Sequence, residues 1–134
     1  MQIFPSQPLN LSNKFFGLFH IISFLIFYYF RNDGTVITNF EPTPSTPTYL
    51  IAYIVSDFEY VSNEANTAQD FPQRVYAQKN IVENGHFSVD TGFKILRRLE
   101  EYLQVNFSLP KMDQAAVPDF SAGAMENWGL VTYR

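Results

Sequence analysis

The chain has 134 residues, 46% hydrophobic and 16% charged, enough for one domain with a modest core. Its formal net charge of -4 comes without any cluster of Lys and Arg, which excludes the electrostatic footprint of a nucleic-acid binder. Cysteine is absent, so disulfides, thiolate metal sites and cysteine nucleophiles are excluded, and the redox compartment stays open.

Aromatic residues make up 17% of the chain, and many crowd into residues 15–30, FFGLFHIISFLIFYYF, an apolar run between Lys14 and Arg31 broken only by Gly17, His20 and Ser23. A bilayer-spanning helix needs about 20 apolar residues and a signal-peptide core roughly 10–14, so the run falls between the two. Lys14 suits a signal-anchor, and no small-residue cleavage pattern follows Phe30. Three expectations follow for the run: a retained membrane anchor, a buried strand or helix, or sequence foreign to the mature fold. Residues 32–47 hold the turn dipeptide Asp33-Gly34 and then Pro42, Pro44 and Pro47 among Thr and Ser, a turn followed by an extended linker.

Residues 48–58, TYLIAYIVSDF, are rich in β-branched and aromatic side chains and predict a strand. After the polar loop 62–72, Arg-Val-Tyr-Ala at 74–77 predicts a second. The period then changes: Val89, Phe93, Leu96, Leu99 and Leu103 recur at spacings of three and four, which predicts an amphipathic helix over 87–105. Ser88 or Asp90 is the expected cap, Arg97 and Glu101 a compatible pair on the wet side, and Asn106 with Pro110 the stop. Beyond Pro110 no regular period stands out. Residues 122–129 mix small residues with Glu126, Asn127 and Trp128 in a way that predicts a special backbone path.

The stretch LPKMDQAAVPDFSAGAMENWGLVTYR, residues 109–134, contains Gly123, Ala124, Met125, Glu126 and Asn127 in succession. This run, with PDFSA before it and WGLVTYR after it, closely resembles the hallmark segment of the M1 family of zinc aminopeptidases. The resemblance extends more weakly upstream to about residue 40 and leaves the first forty residues uncovered. It implies that Gly123 and Ala124 offer backbone contacts to a peptide substrate and that Glu126 anchors its free amine, with Met125 and Asn127 completing the substrate-binding motif.

The chemistry is intelligible apart from the resemblance. An enzyme that cuts only the first peptide bond must fix the free α-ammonium, and a carboxylate in a water-poor pocket does so through a charge-assisted hydrogen bond. A residue without a Cβ lets a substrate backbone approach closely and pair like an added strand. Taken alone, a glycine-containing loop with one carboxylate reads more simply as a solvated turn. The flanking match tips the reading toward the amine site.

The resemblance also implies a zinc ion held by a His-Glu-x-x-His helix and a more distant Glu, with the helix Glu as general base and a Tyr further on stabilising the oxyanion. No such pattern occurs in the sequence. The only histidines, His20 and His86, lack a partner four residues away and read as structural. No catalytic or metal-ligating residue is therefore assigned, and the chain alone is expected to be inactive, a fragment of a longer enzyme. Asp113 and Asp119 could form a paired-carboxylate site, but a structural role is the simpler expectation. Tyr133 reads as strand packing, and Trp128 and Phe120 as packing that stiffens the loop. Asn10 and Asn106 each head an N-glycosylation triplet, which matters only in a secreted chain.

The expected fold class is an α+β fragment: the end of an N-terminal β-sandwich or saddle domain, then the first helix and strands of a thermolysin-like catalytic domain. Residues 1–39 are unassigned, 40–79 belong to the β domain and 80–134 to the catalytic domain. The expected partner is a peptide N-terminus, with a membrane as a further partner if residues 15–30 form an anchor, and the location is plasma membrane or extracellular by resemblance. Two alternatives differ in class: a non-catalytic binder of peptide N-termini, and a membrane-anchored interaction stub. Strands with unpaired edges and a helix short of partners predict a marginally folded chain that tends to aggregate.

Overall fold

A computed structural model describes residues 2–5, 18–21, 25–30, 35–40, 42–62 and 71–134. In chain order the strands are β1 (Gln2–Pro5), β2 (Leu18–Ile21), β3 (Leu25–Phe30), β4 (Thr35–Phe40), β5 (Tyr53–Ser56), β6 (Glu59–Ser62) and β7 (Gln73–Ala77). The helix α1 (His86–Leu103) follows, then β8 (Met112–Ala116), β9 (Ala124–Met125) and β10 (Leu130–Tyr133). One helix and a mixed sheet make this a small α+β unit, as expected.

The apolar run at 15–30 contributes the strands β2 and β3, and the rest of it lies outside the described residues. β3 and β1 flank β4 in an antiparallel three-stranded sheet, and β2 pairs antiparallel with β5. Among the described residues no helix is long and apolar enough to cross a membrane. The Asp33-Gly34 turn, the Asn10 triplet and most of the loop 62–72 lie outside the described residues.

The single strand expected over 48–58 is two elements. A 3-10 turn at Thr48–Leu50 leads into β5, the chain bends where the Phe58 backbone N–H donates to Ser56 Oγ at 3.3 Å, and β6 begins at Glu59. Ser and Asp favour such local bonds over a continued ladder, and Ser56-Asp57 supplies the break.

The main sheet has the order β6-β7-β8-β10-β9, with β7, β8 and β10 parallel and the flanking strands β6 and β9 antiparallel. Alternation sends its side chains to two cores. On one face Val61, Val75 and Ala77 pack with Val82 and Val89, and on the other Tyr76, Ala115 and Leu130 pack with Ala52, Ile54, Phe58 and Val117. The parallel step from β7 to β8 is bridged by α1, the usual crossover for such a pair.

α1 falls where the apolar spacing places it, with Val89 buried against β6 and β7. Its start needs no side-chain cap: the 3-10 turn Val82–Gly85 runs directly into it, so Gly85 holds the cap position and Ser88 and Asp90 lie inside the helix. The ion pairs are Arg97 with Glu100 and Arg98 with Glu101, both at 2.7 Å, so Glu101 pairs with Arg98 instead of Arg97. The helix ends earlier than expected, on Gln104 in a left-handed conformation (φ 55°) whose side-chain amide donates to the Glu101 carbonyl at 2.6 Å. Further along the apolar stripe Leu99 and Leu103 are exposed, 60% in the last case.

Candidate functional site

The segment after α1, where the sequence shows no regular period, forms β8, a turn region and the hairpin β9–β10. β8 escapes the eye because two of the inward positions along it, beside the buried Ala115, are charged: Asp113 is 1% exposed, and Lys111 just before the strand is 3% exposed. Each would be costly to bury alone, and each is partnered. Lys111 Nζ lies 2.8 Å from Asp113 Oδ2 and donates to the Gly129 carbonyl at 2.7 Å. Burial pushes the Lys111 ammonium below its ordinary value and the Asp113 carboxyl above its own, and in each case the partner's opposite charge works against the shift. Asp113 also adds to the effect of burial on the neighbouring Tyr76 phenol, which is raised far above the usual range.

The Gly129 carbonyl also accepts the Asp113 backbone N–H at 3.0 Å, so one oxygen receives two donors from β8. Gly129 has φ 67°, a left-handed conformation that glycine enters without a Cβ penalty. The turn it makes is closed by the Leu130 N–H donating to the Asn127 carbonyl at 3.2 Å. Asn127 is buried, and its side-chain oxygen accepts from Thr132 Oγ1 at 3.3 Å across the hairpin. Met125 pairs with Thr132, Ala124 with Tyr133, and the Arg134 N–H donates to the Gly123 carbonyl at 3.1 Å.

Gly123, Ala124 and Glu126 are exposed and Met125 is half-buried. A Cβ built at Gly123 would meet nothing within 4 Å, so the chain's own packing does not demand glycine there. Among the described residues β9 is the terminal strand of the sheet, and one side of its backbone has no neighbouring strand. Beside it Glu126 borders a hollow of about 310 Å³ that Phe107, Leu109, Met112, Trp128 and Val131 also line. A carboxylate, an unpaired strand edge and an apolar hollow thus meet at one end of the sheet. The arrangement can take up an extended segment along the edge and a cation at the carboxylate.

The remaining candidates fall elsewhere. Asp113 is engaged by Lys111, whereas Asp119 is exposed at a left-handed turn position (φ 55°), so the two are not placed as a working pair. His86 is exposed and lies 3.2 Å from Glu83, and the side chain of His20 lies outside the description. Tyr133 lies in β10 but is exposed, and Trp128 is half-buried beside Glu126. The sequence reading missed the parts played by Lys111, Gly129 and Thr132. The signal for the first was the Lys-x-Asp spacing of two, which places both side chains on one face of an extended segment.

Residues 87–134 match the family model described as the Peptidase family M1 domain. Similarity reaches further upstream: membrane alanyl aminopeptidase of Manduca sexta is 45% identical over 106 residues, 76% of this chain and 10% of that protein. The chain belongs to the M1 peptidase family. Aminopeptidase M1 of Arabidopsis thaliana is 45% identical over 103 residues, covering 77% of this chain and 12% of its own length. Aminopeptidase N of Rattus norvegicus is 45% identical over 100 residues, 73% and 10% respectively. The chain therefore spans about a tenth of the length of these M1 relatives. Membership implies zinc in the family's full-length enzymes. Among the described residues no three His, Cys, Asp or Glu side chains stand together as a metal site, so these residues do not fit the ion.

Proposed function

We propose that residues 123–127 form the amine-binding part of an aminopeptidase site that removes N-terminal residues from peptides. The observation that carries the reading is the exposed Glu126 carboxylate next to the open edge of β9. In this reading the backbone of Gly123 and Ala124 pairs with the substrate main chain, and the Glu126 carboxylate accepts hydrogen bonds from the substrate ammonium. Met125 flanks the substrate, while Asn127, held on Thr132, keeps the hairpin in shape. The open space at Gly123 supports this role, since a glycine that the chain's own packing does not require leaves room for something outside it.

Peptide-bond hydrolysis in this reading needs zinc ligands and a general base from outside residues 1–134, so this chain contributes positioning of the substrate and no bond cleavage of its own. The division into a β domain at 40–79 and a catalytic domain at 80–134 belongs to the same proposal, with β7 hydrogen-bonded to β8 across the boundary. So does a membrane location, which the printed name of the insect relative, a membrane alanyl aminopeptidase, supports.

The test is a titration of the chain with a short apolar peptide, with its amine free and N-acetylated, followed by the amide resonances of 123–134. The free-amine peptide is expected to shift Gly123, Ala124 and Glu126 and to bind at least tenfold more tightly. Equal affinity, or shifts confined to α1, would overturn the assignment.

A further inference from the structure

We propose that Lys111, paired with Asp113, is a positioning residue that sets Glu126 and the open edge of β9 in their working places. The inference rests on the amine-binding reading for its functional consequence and on the geometry of the turn for its mechanism.

The hairpin leaves β9 at Glu126 and returns at Leu130, so the direction of Glu126 depends on how the turn between them is held. Besides the Thr132 hydroxyl bond to the Asn127 side chain, three hydrogen bonds to backbone carbonyls hold that turn: Leu130 N–H to the Asn127 carbonyl, Asp113 N–H to the Gly129 carbonyl, and Lys111 Nζ to that same carbonyl. The first is local and comes with any tight turn. The second and third fasten it to β8, the middle strand of the main sheet. A carbonyl that receives a buried ammonium at 2.7 Å has the orientation of its peptide plane fixed, and with it the left-handed conformation of Gly129.

An aliphatic side chain would fill the space around Nζ equally well, so packing alone does not call for lysine. Burying an ammonium and a carboxylate side by side is a poor way to gain stability, and such pairs are best understood where they specify one arrangement among several. Here the arrangement specified is the turn. Asp113 neutralises the ammonium and aims it, and the Gly129 carbonyl is its target. The site then consists of a motif that meets the substrate and a brace behind it that the substrate never touches.

The experiment compares the 134-residue chain with Lys111→Met and with the double variant Lys111→Met/Asp113→Leu, which leaves neither charge buried. Two quantities are read: amide exchange at Leu130 and Arg134, set against Phe93 and Leu96 in the middle of α1, and the affinity ratio for free-amine over N-acetylated peptide. In both variants exchange at Leu130 and Arg134 is expected to quicken at least tenfold relative to α1, and the preference for the free amine to fall toward unity. If the single variant loosens α1 as well, the double variant decides, because no stranded charge can unfold it. Unchanged exchange at Leu130 and Arg134 in the double variant would overturn the proposal. Should the wild-type chain show no amine preference, the functional reading fails on its own, while the exchange data still decide whether Lys111 holds the turn.

Discussion

The seating of α1 on the sheet can be tested at its cap residue, Gly85. A Cβ at Gly85 would lie 2.8 Å from Val61 Cγ2, 3.0 Å from Val75 Cγ1 and 3.3 Å from Val75 Cβ, closer than unstrained carbon atoms approach. Both valines are buried in the core beneath the helix, and β-branched side chains have little rotamer freedom with which to retreat. Forcing one methyl into such a place costs about 1–3 kcal/mol. Gly85 has φ -72° and ψ -15°, which alanine adopts without strain, so Gly85→Ala regains about 0.4–1 kcal/mol from the unfolded chain. The net expectation is a loss of about 1–2 kcal/mol, or roughly tenfold faster exchange of the α1 amides at Phe93 and Leu96, since 1.4 kcal/mol is a factor of ten.

Gly92 is the matched control. A Cβ there meets Gln114 Nε2 at 2.9 Å, the far end of a flexible side chain that can swing aside, while alanine in a helix interior is favoured over glycine by about 0.5–1 kcal/mol. Gly92→Ala should therefore slow exchange of the same amides. If Gly85→Ala leaves exchange unchanged or slows it, α1 does not rest on Val61 and Val75 as described.

Two further predictions concern charge. The Phe107 backbone N–H donates to Glu100 Oε1 at 2.6 Å, and this bond, with the Arg97 guanidinium at 2.7 Å from the other oxygen, holds the Glu100 carboxyl below its usual value. A depressed carboxylate lends stability that is present above its unfolded value of 4.5 and lost as pH falls through the folded one, so acidifying from pH 6 to well below 4.5 should free the Phe107 amide. Glu100→Gln should remove that pH dependence, as followed by the Phe107 amide shift. At the buried pair, Lys111→Met alone strands the Asp113 carboxylate and should cost about 3–5 kcal/mol, whereas adding Asp113→Leu should recover most of it, because removing both charges also removes their desolvation. Denaturant midpoints of the two variants measure the difference.

Much of the fold was legible where burial and local period agree. The spacing of Val89, Phe93, Leu96, Leu99 and Leu103 places α1 within two residues of its observed ends, and the strand formers Val75 and Tyr76 mark β7. Elsewhere tertiary structure overrides the local signal. The strand expected over 48–58 is divided by a side-chain bond at Ser56 that polar content alone does not locate. β8 is hidden because Lys111 and Asp113 occupy positions where an apolar residue would have advertised a strand, and they are tolerated only because each satisfies the other. The motif at 123–127 could be recognised by resemblance, but what holds it could not: the brace comes from residues ten or more positions upstream, and only the sheet brings them beneath the turn.

The central claim, that Glu126 receives a peptide's amine, is tested most directly by a cycle that crosses Glu126→Gln with acetylation of the peptide and measures four affinities. A direct contact predicts that the substitution weakens the free-amine peptide at least tenfold, leaves the acetylated peptide unchanged, and so abolishes the difference between them. Equal weakening of both peptides, or none of either, would contradict it and leave Glu126 an ordinary surface carboxylate.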